Sequence, residues 1–160
     1  MNATALAILC IVAILSTAAN VDSPENNTMM AQTTNESAVL EVIKNFNRAF
    51  ANNDPDKYFT YIARDITVLT PSNPYRVEGL EQDRAEFEYS LRSGVSRVGY
   101  FQEMQPKVQL LGETAVVTYF SRGTYGPKDQ EKVCYYKETD VLQKQAGTWK
   151  IVHIHVSSTQ

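Results

Sequence analysis

The period of the apolar pattern changes once, near residue 95, and that change limits the folds open to this chain. Before it, apolar residues recur at helical spacing; after it, they alternate at spacing two through four runs separated by turn residues. Ser37–Asn53 carries Val39, Val42, Ile43, Phe46, Ala49 and Phe50 on one helical face, with Asn35 or Ser37 available as a cap. Asp54-Pro55 pairs an N-cap residue with a first-turn proline and opens a second helix reaching about Ala63. Ile66–Thr70 is expected as a short strand. Gly79 precedes a third helix over about Leu80–Arg92, which stops at Gly94. Strands are expected near Arg97–Leu111, Thr114–Tyr125, Lys132–Gln143 and Thr148–Ser157. Gly112-Glu113 and Ala146-Gly147 supply tight turns, and Pro106 marks a bulge or an edge. Helices followed by an antiparallel run give an α+β domain with a curved sheet wrapped around the helices.

The final strand is the most informative of the four. Trp149, Ile151, His153, His155 and Ser157 share one face under strict alternation, and Lys150, Val152, Ile154 and Val156 share the other. Both faces are largely apolar, which places this strand mid-sheet with something packed on each side.

Residues 1–19 read as a secretory signal peptide: an apolar run from Ala5 to Leu15, then Ser16-Thr17-Ala18-Ala19 at a cleavage site. An uncleaved anchor is the alternative, because no Lys or Arg precedes the run. The expected location is secreted or periplasmic, with no membrane attachment after cleavage. Cys10 would leave with the signal, so Cys134 would remain alone, without an intrachain disulfide and buried in its strand. Residues 20–36 are rich in Asn, Thr and Ser and are expected to form a disordered leader. They hold the sequon Asn26-Asn27-Thr28, and a second, Asn35-Glu36-Ser37, spans the boundary; both matter only in a eukaryotic host. The folded domain is expected over 37–158. With 15 basic and 18 acidic residues and no basic run, the chain offers no nucleic-acid surface.

In the order Ala49-Phe50-Ala51-Asn52-Asn53-Asp54, Val77-Glu78-Gly79-Leu80, Leu110–Ala115 and Trp149–Ser157, the chain resembles the nuclear transport factor 2-like superfamily. Within it, the resemblance is to the association (hub) domain of calcium/calmodulin-dependent protein kinase II and to SnoaL-like domains. The resemblance implies a cone-shaped fold of three N-terminal helices on a curved, mostly antiparallel sheet. It also implies a deep pocket between helices and sheet, and a sheet face that pairs with another subunit. No kinase domain accompanies it, since the chain has no Gly-rich nucleotide loop. The implied role is an exported stand-alone module, partnered with itself, with no cofactor.

Three arrangements can carry chemistry. His153 and His155 at i, i+2 would lie about 6–7 Å apart, either chelating a metal or forming a hydrogen-bonded pair. The resemblance favours the pair, and no metal ligand is assigned. Cys134, Tyr136, Glu138 and Asp140 share a strand face; if it faces the cavity, two carboxyls in an aromatic setting suit acid–base work. Otherwise they are ordinary surface acids. The pocket is expected to be lined by Tyr58, Tyr61, Tyr119, Ser121, Tyr136, Glu138, Asp140, His153 and Val156, with Tyr75 a further aromatic candidate. If the chain is an enzyme, Asp140, Glu138 and His153 are the catalytic candidates. The arginines that line the anion pocket of kinase hubs become Ser121, Asp140 and Val156 by motif alignment, and Arg122 falls one place out of register. The resemblance thus implies a small uncharged or cationic ligand. The tyrosine and aspartate of ketosteroid isomerases become Phe46 and Thr70, which cannot do that work. The rival to the binding module is a cofactor-independent hydrolase, dehydratase or isomerase. Arg84 and Glu78 read as surface or interface charges, and a purely structural partner with an aromatic-filled core is the third reading.

Overall fold

The computed structural model describes residues 24–95 and 97–159, with side chains from residue 28 onward. The signal segment, 1–19, lies outside them, as do residues 20–23. Helix α1 spans Pro24–Ala51, α2 Pro55–Tyr58 and α3 Leu80–Ser93, and a 3-10 turn, Phe59–Tyr61, continues α2. The strands are β1 Ile62–Leu69, β2 Val77–Glu78, β3 Val98–Leu111, β4 Thr114–Tyr125, β5 Lys132–Gln145 and β6 Thr148–Ser158. They form one sheet in the order β2-β1-β6-β5-β4-β3, in which β1 and β6 run parallel and the other neighbours antiparallel. The α+β expectation, with three helices packed against a curved sheet, holds. The final strand is central, between β1 and β5.

Helix α1 covers Pro24–Ala51, so residues 24–36, expected as part of a disordered leader, are helical. Once Val39, Ile43, Phe46 and Ala49 fix the C-terminal half against the core, each further turn needs only propagation and no new nucleus. Thr33 and Thr34 hydroxyls bond back to the carbonyls of Met29 and Met30, whose side chains are exposed. At the other end Asn53 takes a left-handed conformation (φ 52°). Its amide donates to the Val98 carbonyl (2.8 Å) and accepts from the Val98 N–H (2.9 Å), fastening β3 to the end of α1. Asp54 caps α2 by accepting from the Lys57 N–H, with Pro55 in its first turn. Helix α2 is a single turn, and β1 begins at Ile62, earlier than the Ile66 expected. The pair Val77–Glu78 adds a short edge strand.

Two bulges re-aim side chains. In β3, Gln105 (φ 53°) and Pro106 stand opposite Tyr119 alone, between the pairs Met104–Phe120 and Lys107–Thr118. Pro106 is therefore both at a bulge and on an edge strand, where its missing N–H goes unneeded. In β6, Val141 pairs with His153 and Leu142 with Ile151, leaving Val152 as an extra residue. A one-residue insertion moves every later side chain to the opposite face. Trp149 and Ile151 point to the helices; beyond the bulge it is Ile154 and Val156 that do so. His153 and His155 are turned to the open face. The single-face grouping of Trp149, Ile151, His153 and His155 is therefore corrected.

Candidate functional site

Between the helices and the sheet lies a cavity of about 440 Å3, within the size range of small-molecule sites. Phe46, Asn47 and Phe50 of α1 and Tyr58 of α2 form one wall, and Asp83, Glu86, Phe87 and Ser90 of α3 the other. Tyr136 and Glu138 of β5 with Ile154 and Val156 of β6 form the floor, and residues 70–73 lie along the rim. The aromatic rings support each other: Tyr58 stacks on Phe46 (4.5 Å between centroids) and on Phe87 (4.8 Å), and Phe50 meets Phe101 edge-on.

A polar cluster sits in and beneath the floor. Tyr119 Oη lies 2.9 Å from Asp140 Oδ2, 3.0 Å from Glu138 Oε2 and 3.4 Å from Asn47 Oδ1. Asn47 Nδ2 in turn donates to Glu103 Oε2 at 2.6 Å. Register explains the meeting: Tyr119 is directly opposite Glu138 across β4–β5, and Asp140 follows on the same face. Burial, then the neighbouring Glu138, pushes the Asp140 carboxyl well above the carboxylate range. Burial raises Glu138 too, opposed by the Ser121 and Tyr119 hydroxyls. Ser121 Oγ makes no hydrogen bond of ordinary geometry, so its effect on Glu138 is that of a nearby dipole. Burial also lifts the Tyr119 and Tyr58 hydroxyls far above their usual value, so both stay neutral.

Proton counting then fixes the bonding. One phenolic proton cannot serve two carboxylates. Burial favours the proton on Asp140, the more deeply buried of the two, and in that order Asp140 donates from Oδ2 to Tyr119 Oη and Tyr119 donates to Glu138. The result is a relay from a fully buried carboxylic acid, through a phenol, to a carboxylate at the cavity wall. Asp140 Oδ1 is left buried without a partner among the described residues.

On α3, Asp83 is buried against the cavity, and its Oδ2 has no hydrogen-bond partner among the described residues. Burial, reinforced by Glu86, pushes its carboxyl up to about 7. Glu86 is better supplied, accepting from Asn73 Nδ2 (2.9 Å) and Gln82 Nε2 (3.1 Å).

Of the residues expected in the pocket, Tyr58, Tyr136, Glu138 and Val156 line it. Tyr119, Ser121 and Asp140 are fully buried in the layer behind the floor. Tyr61 packs on the core away from the cavity, and Tyr75 is exposed on a loop. His153 is on the opposite sheet face because of the Val152 bulge, so its catalytic and pocket assignments are withdrawn. There its Nδ1 contacts Thr67 Oγ1 at 2.7 Å, and burial, then His155, lowers its affinity for a proton. Cys134 is half-buried rather than buried. Arg122 faces away from the cavity, over the Tyr135 ring. Arg84 pairs with Asp56 and Glu88, and Glu78 with Arg76, at the surface. Asn47, Asp83 and Glu103 were missed. Asn47 lies one helical turn after Ile43, and Asp83 between Leu80 and Phe87; each is a polar residue on an apolar stripe.

No curated protein matches the sequence. The solved hub of the S. rosetta kinase is 29% identical, with a TM-score of 0.66, over 77% of this chain and 95% of that one. The hub homology domain from Chlamydamonas reinhardtii is 26% identical, with a TM-score of 0.64, over 78% and 98%. A scytalone-dehydratase-like protein of Novosphingobium aromaticivorans shares the fold at a TM-score of 0.72 but only 12% identity, over 82% and 89%. The family model of the calcium/calmodulin-dependent protein kinase II association domain matches residues 35–160. The chain belongs to the calcium/calmodulin-dependent protein kinase II association-domain family.

Proposed function

We propose that this protein is an exported association module that joins copies of itself through the open face of its sheet and holds a small molecule in the cavity behind it. The observation that carries the self-association is the surface of that face. Tyr100, Phe120, Val133 and Tyr135 are 44–50% exposed on adjacent strands β3, β4 and β5, where none of the described helices covers them. Family membership and the likeness to kinase hubs support the same reading. Export rests on the apolar run Ala5–Leu15 and the small residues after it. Light scattering of the purified protein at micromolar concentration tests the assembly: a mass at least twice that of one chain is expected, and a monomer overturns it.

A second reading is favoured by the Asp140–Tyr119–Glu138 relay. A carboxylate at a cavity wall, backed by a buried acid, is suited to removing a proton from a carbon acid and returning it. The same cavity would then serve a cofactor-independent isomerase or dehydratase. Deuterium exchange into small enolisable ketones, followed by NMR, tests it; exchange above the buffer rate that disappears in Glu138→Gln is the expected sign. Exchange equal in the two proteins removes the reading.

A further inference from the structure

We propose that the ligand of the cavity is an organic amine: an ammonium group carried on an apolar or aromatic body. This rests on the reading above that the cavity holds a small molecule, and it names the class. Three carboxyl side chains line the cavity: Asp83 and Glu86 from α3, and Glu138 from β5. Among the described residues, no Lys, Arg or His lines it. An anionic ligand would enter against that charge.

The second observation is independent of the charge count. Asp83 is 9% exposed and lines the cavity, yet its Oδ2 accepts from nothing among the described residues. A buried acceptor without a donor is costly, and a ligand N–H is what relieves it. Glu86 does not share this need, because Asn73 and Gln82 already serve its two oxygens. The third observation is the wall itself. Phe46, Phe50, Tyr58 and Phe87 line the same space as an aromatic cluster in which Tyr58 stacks on Phe46 and Phe87. Ring faces attract a desolvated cation and also pack an apolar body, so one wall suits both parts of such a molecule.

Binding would move a proton. Among the described residues, the titratable groups that act on Asp83 are Glu86 on its own helix and Tyr58 from α2, and Glu138 from β5 lines the same cavity; none is cationic. With its carboxyl pushed up to about 7, Asp83 is partly protonated near neutrality, and an arriving ammonium group favours the ionised form. Association therefore releases protons and tightens by roughly tenfold from pH 6 to pH 8.

Titration calorimetry of the full chain with phenethylamine, phenethyl alcohol and phenylacetate tests the class directly. Phenethylamine is expected to bind at least about tenfold more tightly than the alcohol, with phenylacetate silent. The amine's apparent enthalpy should differ between phosphate and Tris buffers by the proton it releases. Asp83→Asn is expected to abolish the amine preference while leaving the alcohol affinity within about threefold. Equal binding of amine and alcohol, tightest binding of phenylacetate, or an undiminished preference in Asp83→Asn would overturn the amine class and leave a ligand cavity standing. Silence from all three probes would remove the ligand reading as well. If the variant does not fold, the three probes on the unaltered protein decide alone.

Discussion

Replacing Asp83 by asparagine should change the sign of its effect on stability between acid and alkaline pH. The carboxyl is raised from 3.8 to about 7 in the folded protein, chiefly by burial. A raised acid favours the folded state fully below its unfolded value, near pH 4, and that contribution is lost as pH climbs through 7. Over the whole interval the loss is on the order of 4 kcal/mol, at about 1.4 kcal/mol for each pH unit separating the folded and unfolded values. Asparagine carries no charge to desolvate, but its amide group needs partners the site does not supply, at about 1–3 kcal/mol. The variant should therefore be more stable than the parent by roughly 1–3 kcal/mol at pH 8, and equal or less stable at pH 4.5. Urea unfolding at pH 4.5, 6 and 8, at one protein concentration, reads this difference directly. Parallel pH profiles for the two proteins would rule out a raised Asp83 carboxyl, because Glu138 and Asp140 contribute equally to both.

Three further variants probe the relay, the bulge and the open face. Tyr119→Phe removes the hydroxyl between Asp140 and Glu138 and should cost about 1–3 kcal/mol of stability; carbon-detected NMR titration should also show the Glu138 carboxyl rising further, since that hydroxyl now holds it down. Deleting Val152 removes the extra residue of β6 and leaves Ile151 opposite Leu142 and His153 opposite Val141, so Ile154 and Val156 keep facing the helices and the histidines the open face. A cooperative melt is expected to survive the deletion, and loss of the cooperative transition would contradict the register. Phe120→Asp with Tyr135→Asp should convert the assembly to monomer on a sizing column without lowering the helix content; an unchanged elution volume would place the contact elsewhere.

The helix-to-strand order was legible because each element carries its own period and its own stops. Asp54-Pro55, Ala146-Gly147 and Pro106 act within a few residues of themselves, and each does in the structure what its local chemistry requires. The central place of β6 was legible from apolar residues on both its faces. What its sequence could not show is the bulge at Val152, since an extra residue is defined only against the partners β5 and β1. That one residue moved His153 out of the cavity. The carboxyl pair was legible as a shared strand face, but its bonding was not, because Tyr119 comes from the neighbouring strand and Asn47 from α1. Asp83 and Asn47 did leave a trace, as polar residues on apolar helical stripes. Such a residue can equally sit at a stripe's wet edge, and only packing decides. The helix over residues 24–36 has no apolar stripe of its own and is built as an extension of the turns beyond it.

Native mass spectrometry of the intact protein, sprayed from near-neutral volatile buffer, weighs the assembly and any molecule it carries together. A self-associating, ligand-holding module should appear at an integral multiple of the chain mass, two or greater, with a small adduct that is shed on collisional activation. A single chain of unadorned mass, under conditions that keep other assemblies intact, would contradict both halves of that reading.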